Sequence, residues 1–467
     1  MSRLSRRRLS HCRAPSEKGS EFAHRPTPVG RRCRIHNFQT HLGSFMNEIW
    51  RKIIGTSSAR VYSLLVGLAS LAVTARILGP DGRGLVAGVM AWASLFATLG
   101  SLSLGQVVVH HAAKQRGKAW LEPLFGALLF LTLFLTVLIW FVAAGIGYFK
   151  EDLYGKLPVW ALHLGFLSVP FLIWQSYGLH LLISSGNLDF YNRAQVFASS
   201  IGFLFIVVAL VVLDSGVEGA LIATLMTTAI ISCIGITKLW ALAGGKIAIQ
   251  AKVIRALIKD GLKLHLNAVG GVLLTVVNTL MINYYSSTEE VGWYQFASQM
   301  IATVVILPQA LHRVLYEMTA ESGPDQIWPD QKRILARLMG IMIVVILSIY
   351  FLSPWLVTLI AGERFLPSVD VLRTLLISVV GVSMSYGMAN QWLGRGFFLQ
   401  TALLTLVSGA VNIFLNALFI PRYGMIAAAW STAFVYSMGF LTNFSMAVYV
   451  ESRWRSQYAL AQREVPS

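Results

Sequence analysis

Two helical stripes carry most of the polar chemistry available inside this chain. Arg60, Ser63, Gly67, Ser70 and Thr74 recur at intervals of three and four, and at 100° per residue they fall within about 80° of arc. Asn267, Gly271, Thr275 and Asn278 form a second stripe of similar width. A guanidinium offers a planar fork of donors that matches an anionic oxygen pair, and amides and hydroxyls both donate and accept. Arg313 follows His312 just beyond Pro308 and is a further cation of the same kind. The candidate ligand set is therefore Arg60, Ser63, Ser70, Thr74, Asn267, Thr275, Asn278 and Arg313. A plainer reading stands beside it. Small residues let helices approach closely, Asn412 and Asn416 read as bonds across helices, and Arg60 or Arg313 as cations that snorkel to lipid phosphate.

The elements that must hold these stripes are legible from hydropathy. Of 467 residues, 55% are hydrophobic and only 13% charged, about half the roughly 25% charged content of soluble domains. About 20 apolar residues cross a bilayer as a helix. Such segments fall at 56–78, 84–105, 121–149, 158–183, 194–214 and 217–242, and again at 264–286, 291–316, 335–360, 367–393, 397–420 and 424–450. Turn signals divide them, among them Gly79-Pro-Asp-Gly82, Asp214-Ser-Gly216 and Pro421-Arg-Tyr-Gly424. The expected fold is all-α, a polytopic membrane protein of about twelve transmembrane helices. Uniformly apolar spans of this length exclude alternating barrel strands.

The net charge of +17 does not point to nucleic acid. Residues 1–45 contribute +8 of it, with ten Lys/Arg against Glu17 and Glu21, and the rest lies in short loops between spans. Placing both termini in the cytoplasm puts 21 basic residues from Met46 onward inside and 7 outside. The basic segment 1–45 reads as disordered, and three origins compete for it: a polybasic arm on anionic lipid, a transit peptide, or an extension ahead of a start at Met46. Cys12, Cys33 and Cys233 have no disulfide or metal-ligand spacing. Neither a metal nor a cofactor is expected.

One offset relates the two halves of the chain. Adding 208 carries Gly84 to Gly292, Gly186 to Gly394 and Gly216 to Gly424. It also carries Ser63, Gly67 and Ser70 onto Gly271, Thr275 and Asn278, so the two stripes are the same face in each half. An offset of six spans preserves orientation, giving two parallel-repeat six-helix lobes around a central cavity. The expected division is 46–243 and 264–450 for the lobes, 244–263 for a cytoplasmic amphipathic linker, and 451–467 for a cytoplasmic tail.

Several chemistries have no motif here. Phosphate-binding loop, His-Glu-x-x-His and Gly-x-Ser-x-Gly patterns are all missing from the sequence. No catalytic residue is expected, and the protein reads as a transporter rather than an enzyme.

Four segments carry a resemblance: Arg76-Ile-Leu-Gly-Pro-Asp-Gly-Arg-Gly84, Val291-Gly-Trp-Tyr-Gln-Phe-Ala297, Gly362-Glu-Arg-Phe365 and Ile420-Pro-Arg-Tyr-Gly-Met-Ile-Ala-Ala-Ala429. Over about 50–450 the chain resembles the polysaccharide-transport proteins, the O-antigen and exopolysaccharide flippases of the multidrug/oligosaccharidyl-lipid/polysaccharide exporter superfamily. The resemblance implies alternating access and movement of an undecaprenyl-diphosphate-linked oligosaccharide between leaflets of the cytoplasmic (inner) membrane. It implies membrane lipids, a polysaccharide polymerase and chain-length machinery as partners. Many relatives carry an acidic residue within helix 7, where this chain has Asn278-Thr-Leu-Met281. A multidrug exporter of the same superfamily and a membrane glycosyltransferase or polymerase are the alternatives. The topology has a direct check: a reporter fused after Gly216 should read as outside the cytoplasm, and a cytoplasmic signal there would overturn the orientation.

Overall fold

The structure, a computed structural model, describes the backbone of residues 28–113 and 120–463 and the side chains of residues 62–457 apart from 110, 113–119 and 151. Contacts divide the chain into two units, Met1–Ile54 and Gly55–Ser467. In the first, the described backbone is helical from Pro28 onward. Residues 1–27, which hold most of the basic extension, lie outside the described residues, as does the side chain of Arg60.

Among the described residues of the second unit, every regular element is helical. Nine helical stretches are long and apolar enough to cross a membrane. Two of them contain a sharp break, at Gly79 (φ 67°, ψ −177°) and Gly424 (φ 56°, ψ −139°). Both are left-handed or mirror-region conformations that glycine adopts without a Cβ penalty, followed or preceded by a proline that cannot continue the backbone ladder. Dividing the stretches there yields α1 (62–78), α2 (80–100), α11 (398–423) and α12 (425–463). Between them lie α3 (Leu121–Phe149), α4 (Val159–Ser184), α5 (Leu188–Val212), α6 (Gly216–Leu242), α7 (Ala251–Tyr285), α9 (Pro324–Ala361) and α10 (Ser368–Gly394). The 35-residue α8 (Thr288–Ser322) is also long enough to span, and its four glutamates at 289, 290, 317 and 321 sit at its two ends. Twelve spanning segments result. A short helix, Leu104–Ala113, extends α2 after the turn at 101–103.

The expected linker takes another form. Residues 244–263 do not fold as a separate amphipathic helix: α7 begins at Ala251 and runs unbroken into its span. Ile247 and Ile249 are exposed, but Leu257 is fully buried, and Val253, Ile254 and Ile258 pack against the first hydrophobic core. Apolar periodicity alone does not tell a lipid-facing side from a protein-facing one, and here a protein surface was available.

Two hydrophobic cores organise the second unit. The first is built from α2, α3, α4, α6 and α7 around Phe125, Leu128, Ile173, Trp174 and Tyr177. The second is built from α7 to α12 around Phe296, Phe365, Val371, Leu372 and Met388. Leu71 and Ala75 of α1 belong to this second core, while Leu257 and Leu280 of α7 belong to the first. The first helix of each half is thus packed partly into the other half.

The repeat is visible in the turns. Gly216 and Gly424, related by 208, share the same φ of +56°. The third expected pair slips: Gly186 has φ +77°, but its counterpart is Gly396 (φ +80°) and not Gly394. The Gly84 and Gly292 pair proves to be a contact. A Cβ on Gly84 would overlap the Thr288 carbonyl oxygen, and one on Gly292 would overlap that of Pro80. Since 80 and 84 become 288 and 292 on adding 208, the contact maps onto itself, as a two-fold-related interface must. Alanine at either glycine should therefore weaken closure at this end of the molecule. In a cysteine-free background carrying Thr74→Cys, Gly84→Ala and Gly292→Ala should each raise labelling by an impermeant maleimide from the Gly79 side. Labelling unchanged by both would show that the contact does not hold this end shut.

Candidate functional site

Between the two cores lies a cavity of about 580 Å³. Its walls come from α1 and α2 (Thr74, Arg83, Met90, Ser94), α6 (Thr224), α7 (Thr275, Asn278, Thr279), α8 (Gln295, Ser298, Gln299, Gln309), α10 (Ser378, Tyr386) and α12 (Thr432, Tyr436). Hydroxyls and amides dominate the polar lining. Among the described residues that line it, Arg83 alone carries a charge.

Arg83 enters the first turn of α2 four residues after the Gly79 break. Its side chain is 7% exposed and turned into the cavity. One Nη donates to Thr74 Oγ1 at 2.6 Å and the other to Gln299 Oε1 at 2.7 Å, while Nε is buried without an acceptor. Both partners are neutral, and among the described residues no carboxylate pairs with it. A buried guanidinium normally acquires a counter-charge, because two neutral acceptors repay only part of its lost hydration. This one is electrostatically incomplete.

At the end nearest Gly79 several contacts tie the two halves together. Beside the Gly84 and Gly292 crossing, Asp81 accepts a short hydrogen bond from the Thr288 hydroxyl. Arg76 donates to the carbonyls of Leu359 (2.6 Å) and Ile360 (3.1 Å), the last turn of α9, where carbonyls lack intrahelical partners. Trp293 Nε1 donates to the Arg364 carbonyl at 2.8 Å, and Asn283 Nδ2 to the Tyr154 carbonyl at 2.9 Å. Glu290 accepts the Met425 N–H at 2.7 Å, capping α12 after the Gly424 break. At the opposite end, Ser103 meets His265 at 3.2 Å and His111 meets Asp260 at 3.5 Å, so the extension of α2 rides on α7.

The expected ligand residues separate into groups. Thr74, Thr275 and Asn278 reach the cavity. Ser63 and Ser70 do not: they line a smaller groove of about 240 Å³ between α1, α5 and α6, where Ser63 accepts from Ser199 at 2.9 Å. The stripe on α1 therefore turns mainly toward α5 and α6, and only its last member, Thr74, reaches the centre. Asn267 and Arg313 are exposed away from the cavity. Arg60 lies outside the residues whose side chains are described. In sequence Arg83 is only a cation beside the Gly79 turn, and the fold buries it in the cavity wall. The polar face of α8 (Gln295, Ser298, Gln299, Gln309) was also missed, although its offsets of three, four and fourteen from Gln295 are helical and were available to be read.

Asn278 is spoken for within the protein. It is 1% exposed; its Nδ2 donates to Tyr294 Oη (2.8 Å) and Thr432 Oγ1 (2.9 Å), and its Oδ1 accepts from Asn412 (2.6 Å) and Asn416 (2.7 Å). Asn412 also donates to the Leu273 carbonyl at 3.1 Å. This hub ties α7, α8, α11 and α12 together with neutral groups at the cavity wall. Asn278→Ala removes the acceptor of two buried amides, a loss of roughly 1–3 kcal/mol per unsatisfied group in mutational series and about 0.6 kcal/mol for an average interhelical bond in a membrane protein. Its melting temperature in detergent should fall by several degrees, whereas Thr275→Ala, whose hydroxyl bonds only to the Gly271 carbonyl of its own helix, should change it little. Equal stability in the two variants would discount the hub.

Comparisons with known proteins agree with this architecture. Lipid II flippase MurJ in an inward closed conformation superposes with a TM-score of 0.67 at 15% identity, over 89% of this chain and 94% of that one. An inward-facing multidrug resistance MATE family transporter of the MOP superfamily gives 0.66 at 16%, over 84% and 96%. A MOP superfamily transporter from Pyrococcus furiosus gives 0.60 at 18%, over 86% and 96%. At such identities the likeness is one of fold. No curated protein matches by sequence. Residues 49–316, more than half of the chain, match the polysaccharide biosynthesis protein family, and the chain belongs to that family.

Proposed function

We propose that this protein is a flippase that moves a polyprenyl-diphosphate-linked oligosaccharide across the cytoplasmic membrane by alternating access. The observation that carries this reading is Arg83, the one charged group among the described residues lining the cavity, buried and bonded only to neutral atoms. A diphosphate supplies the missing negative charge, and the guanidinium fork receives it through charge-assisted hydrogen bonds. Sugar hydroxyls then meet the amide and hydroxyl walls of α7 and α8, Thr275 and Gln309 among them. The polyprenyl tail stays in lipid between the lobes. An organic cation would instead confront a like charge with no carboxylate in the lining to offset it, which counts against the exporter reading.

In this proposal residues 46–243 and 264–450 rock against each other. In this reading the Gly84 and Gly292 contact holds together the Gly79 end, the outer end on the positive-inside reading. Loading occurs from the cytoplasmic leaflet, and the flipped product is released outward for a polymerase and its chain-length partners. Opening the outer end separates Arg83 from Gln299, because the two lie on opposite sides of the crossing, and so links release to the loss of a neutral partner.

The test uses purified protein in vesicles with a lipid-linked oligosaccharide as substrate. Arg83→Gln should lower translocation by roughly tenfold or more, in line with the ~1.5–3 kcal/mol of a hydrogen bond to a charged group. Arg83→Lys, a point charge without the fork, should retain an intermediate rate. Wild-type translocation in Arg83→Gln, at normal membrane levels, would remove the diphosphate assignment.

A further inference from the structure

A second groove lies on the far side of α10 from the central cavity. Ser378, Val382 and Tyr386 line the cavity, whereas Val380 and Met384 line the groove. Two residues of offset turn a helix by about 200°, so these are opposite faces. The groove measures about 700 Å³ and runs between α9, α10 and α12. Leu335, Met339 and Ile343 form one wall and Phe440 and Phe444 the other. The α9 residues repeat every four positions, so they make a row along the helix over a rise of about 12 Å.

Polar groups gather at one end only. Glu451 accepts from Lys332 at 3.0 Å, from Arg455 Nε at 2.7 Å and from Trp328 Nε1 at 2.7 Å. Two cations therefore share one carboxylate, and the mouth keeps a net positive charge. Arg455 is 74% exposed. An apolar trough that runs into the spanning region from a positively charged mouth matches an amphiphile with an anionic head.

We propose that this groove binds an anionic phospholipid of the surrounding membrane, with its phosphate at Lys332 and Arg455 and an acyl chain along Leu335, Met339 and Phe444. α10 stands between the groove and the central cavity, so the two spaces are distinct. The bound lipid would bridge α9 to α12 at the end opposite the glycine crossing. The site does not depend on what the central cavity carries.

Native mass spectrometry of the purified full-length protein, equilibrated with phosphatidylglycerol or phosphatidylcholine, tests this directly. The wild-type protein should retain phosphatidylglycerol at least severalfold over phosphatidylcholine. Arg455→Gln, an exposed change that folding tolerates, should erase most of that preference. Ala336→Trp, which fills the groove and leaves every charge in place, should reduce retention of phosphatidylglycerol as well. Equal retention of the two lipids by the wild type, or wild-type retention in Ala336→Trp, would overturn the proposal.

Discussion

Backbone meets backbone where the α1–α2 turn crosses the α7–α8 turn, and the approach is so close that neither Gly84 nor Gly292 has room for a Cβ. In lipid there is no hydrophobic gain from pressing two helices together, so association rests on close packing and hydrogen bonding. Glycine maximises both. The crossing fixes the start of α2 against the start of α8, and everything along those two helices inherits its position. Arg83 is one residue from Gly84, and Gln299 lies about two turns along α8 from Gly292. Their 2.7 Å hydrogen bond spans the two halves because the glycines have already brought the helices into reach. Arg76 and Trp293 then add hydrogen bonds around the same crossing.

Charge is used sparingly inside this molecule. The Asn278 hub joins four helices with carboxamides and hydroxyls and holds no ionised group. A carboxylate there would carry a desolvation penalty unless a cation or proton accompanied it. Carboxamides donate and accept at once, so two asparagines can converge on the oxygen of a third while its nitrogen serves two hydroxyls. Against that neutral background the single guanidinium at the cavity wall dominates the local field. A positive site of this kind selects for anionic ligands before any shape complementarity is considered.

The halves are interlocked as well as juxtaposed. Leu71 and Ala75 of α1 are buried in the second core, and Leu257 of α7 in the first. Any rocking of one half against the other would therefore have to bend or slide these helices. The continuous α7, running from Ala251 to Tyr285, connects the His111 and Asp260 contact at one end to the Asn283 contact at the other. A 35-residue rod of this kind spans the distance between these two contacts.

Composition and hydropathy were enough to establish a polytopic helical protein, the twelve spans and the parallel repeat, because lipid allows only internally bonded backbone and because the repeat leaves glycines at fixed offsets. The positive φ of Gly216 and Gly424 was written in their sequence context in the same way. Thr74 and Thr275 could also be picked out as cavity residues from helical periodicity. What periodicity cannot supply is the direction in which a polar stripe faces. Ser63 and Ser70 share a face with Thr74, yet the packing of α1 against α5 and α6 takes them away from the centre. Asn278 looked available for a ligand until α11 brought Asn412 and Asn416 onto it from more than 130 residues away. Arg83 sits beside a turn in sequence and reads as a helix end. Only the crossing of two turns separated by 208 residues encloses it, since burial is a property of what surrounds a side chain and not of its neighbours along the chain.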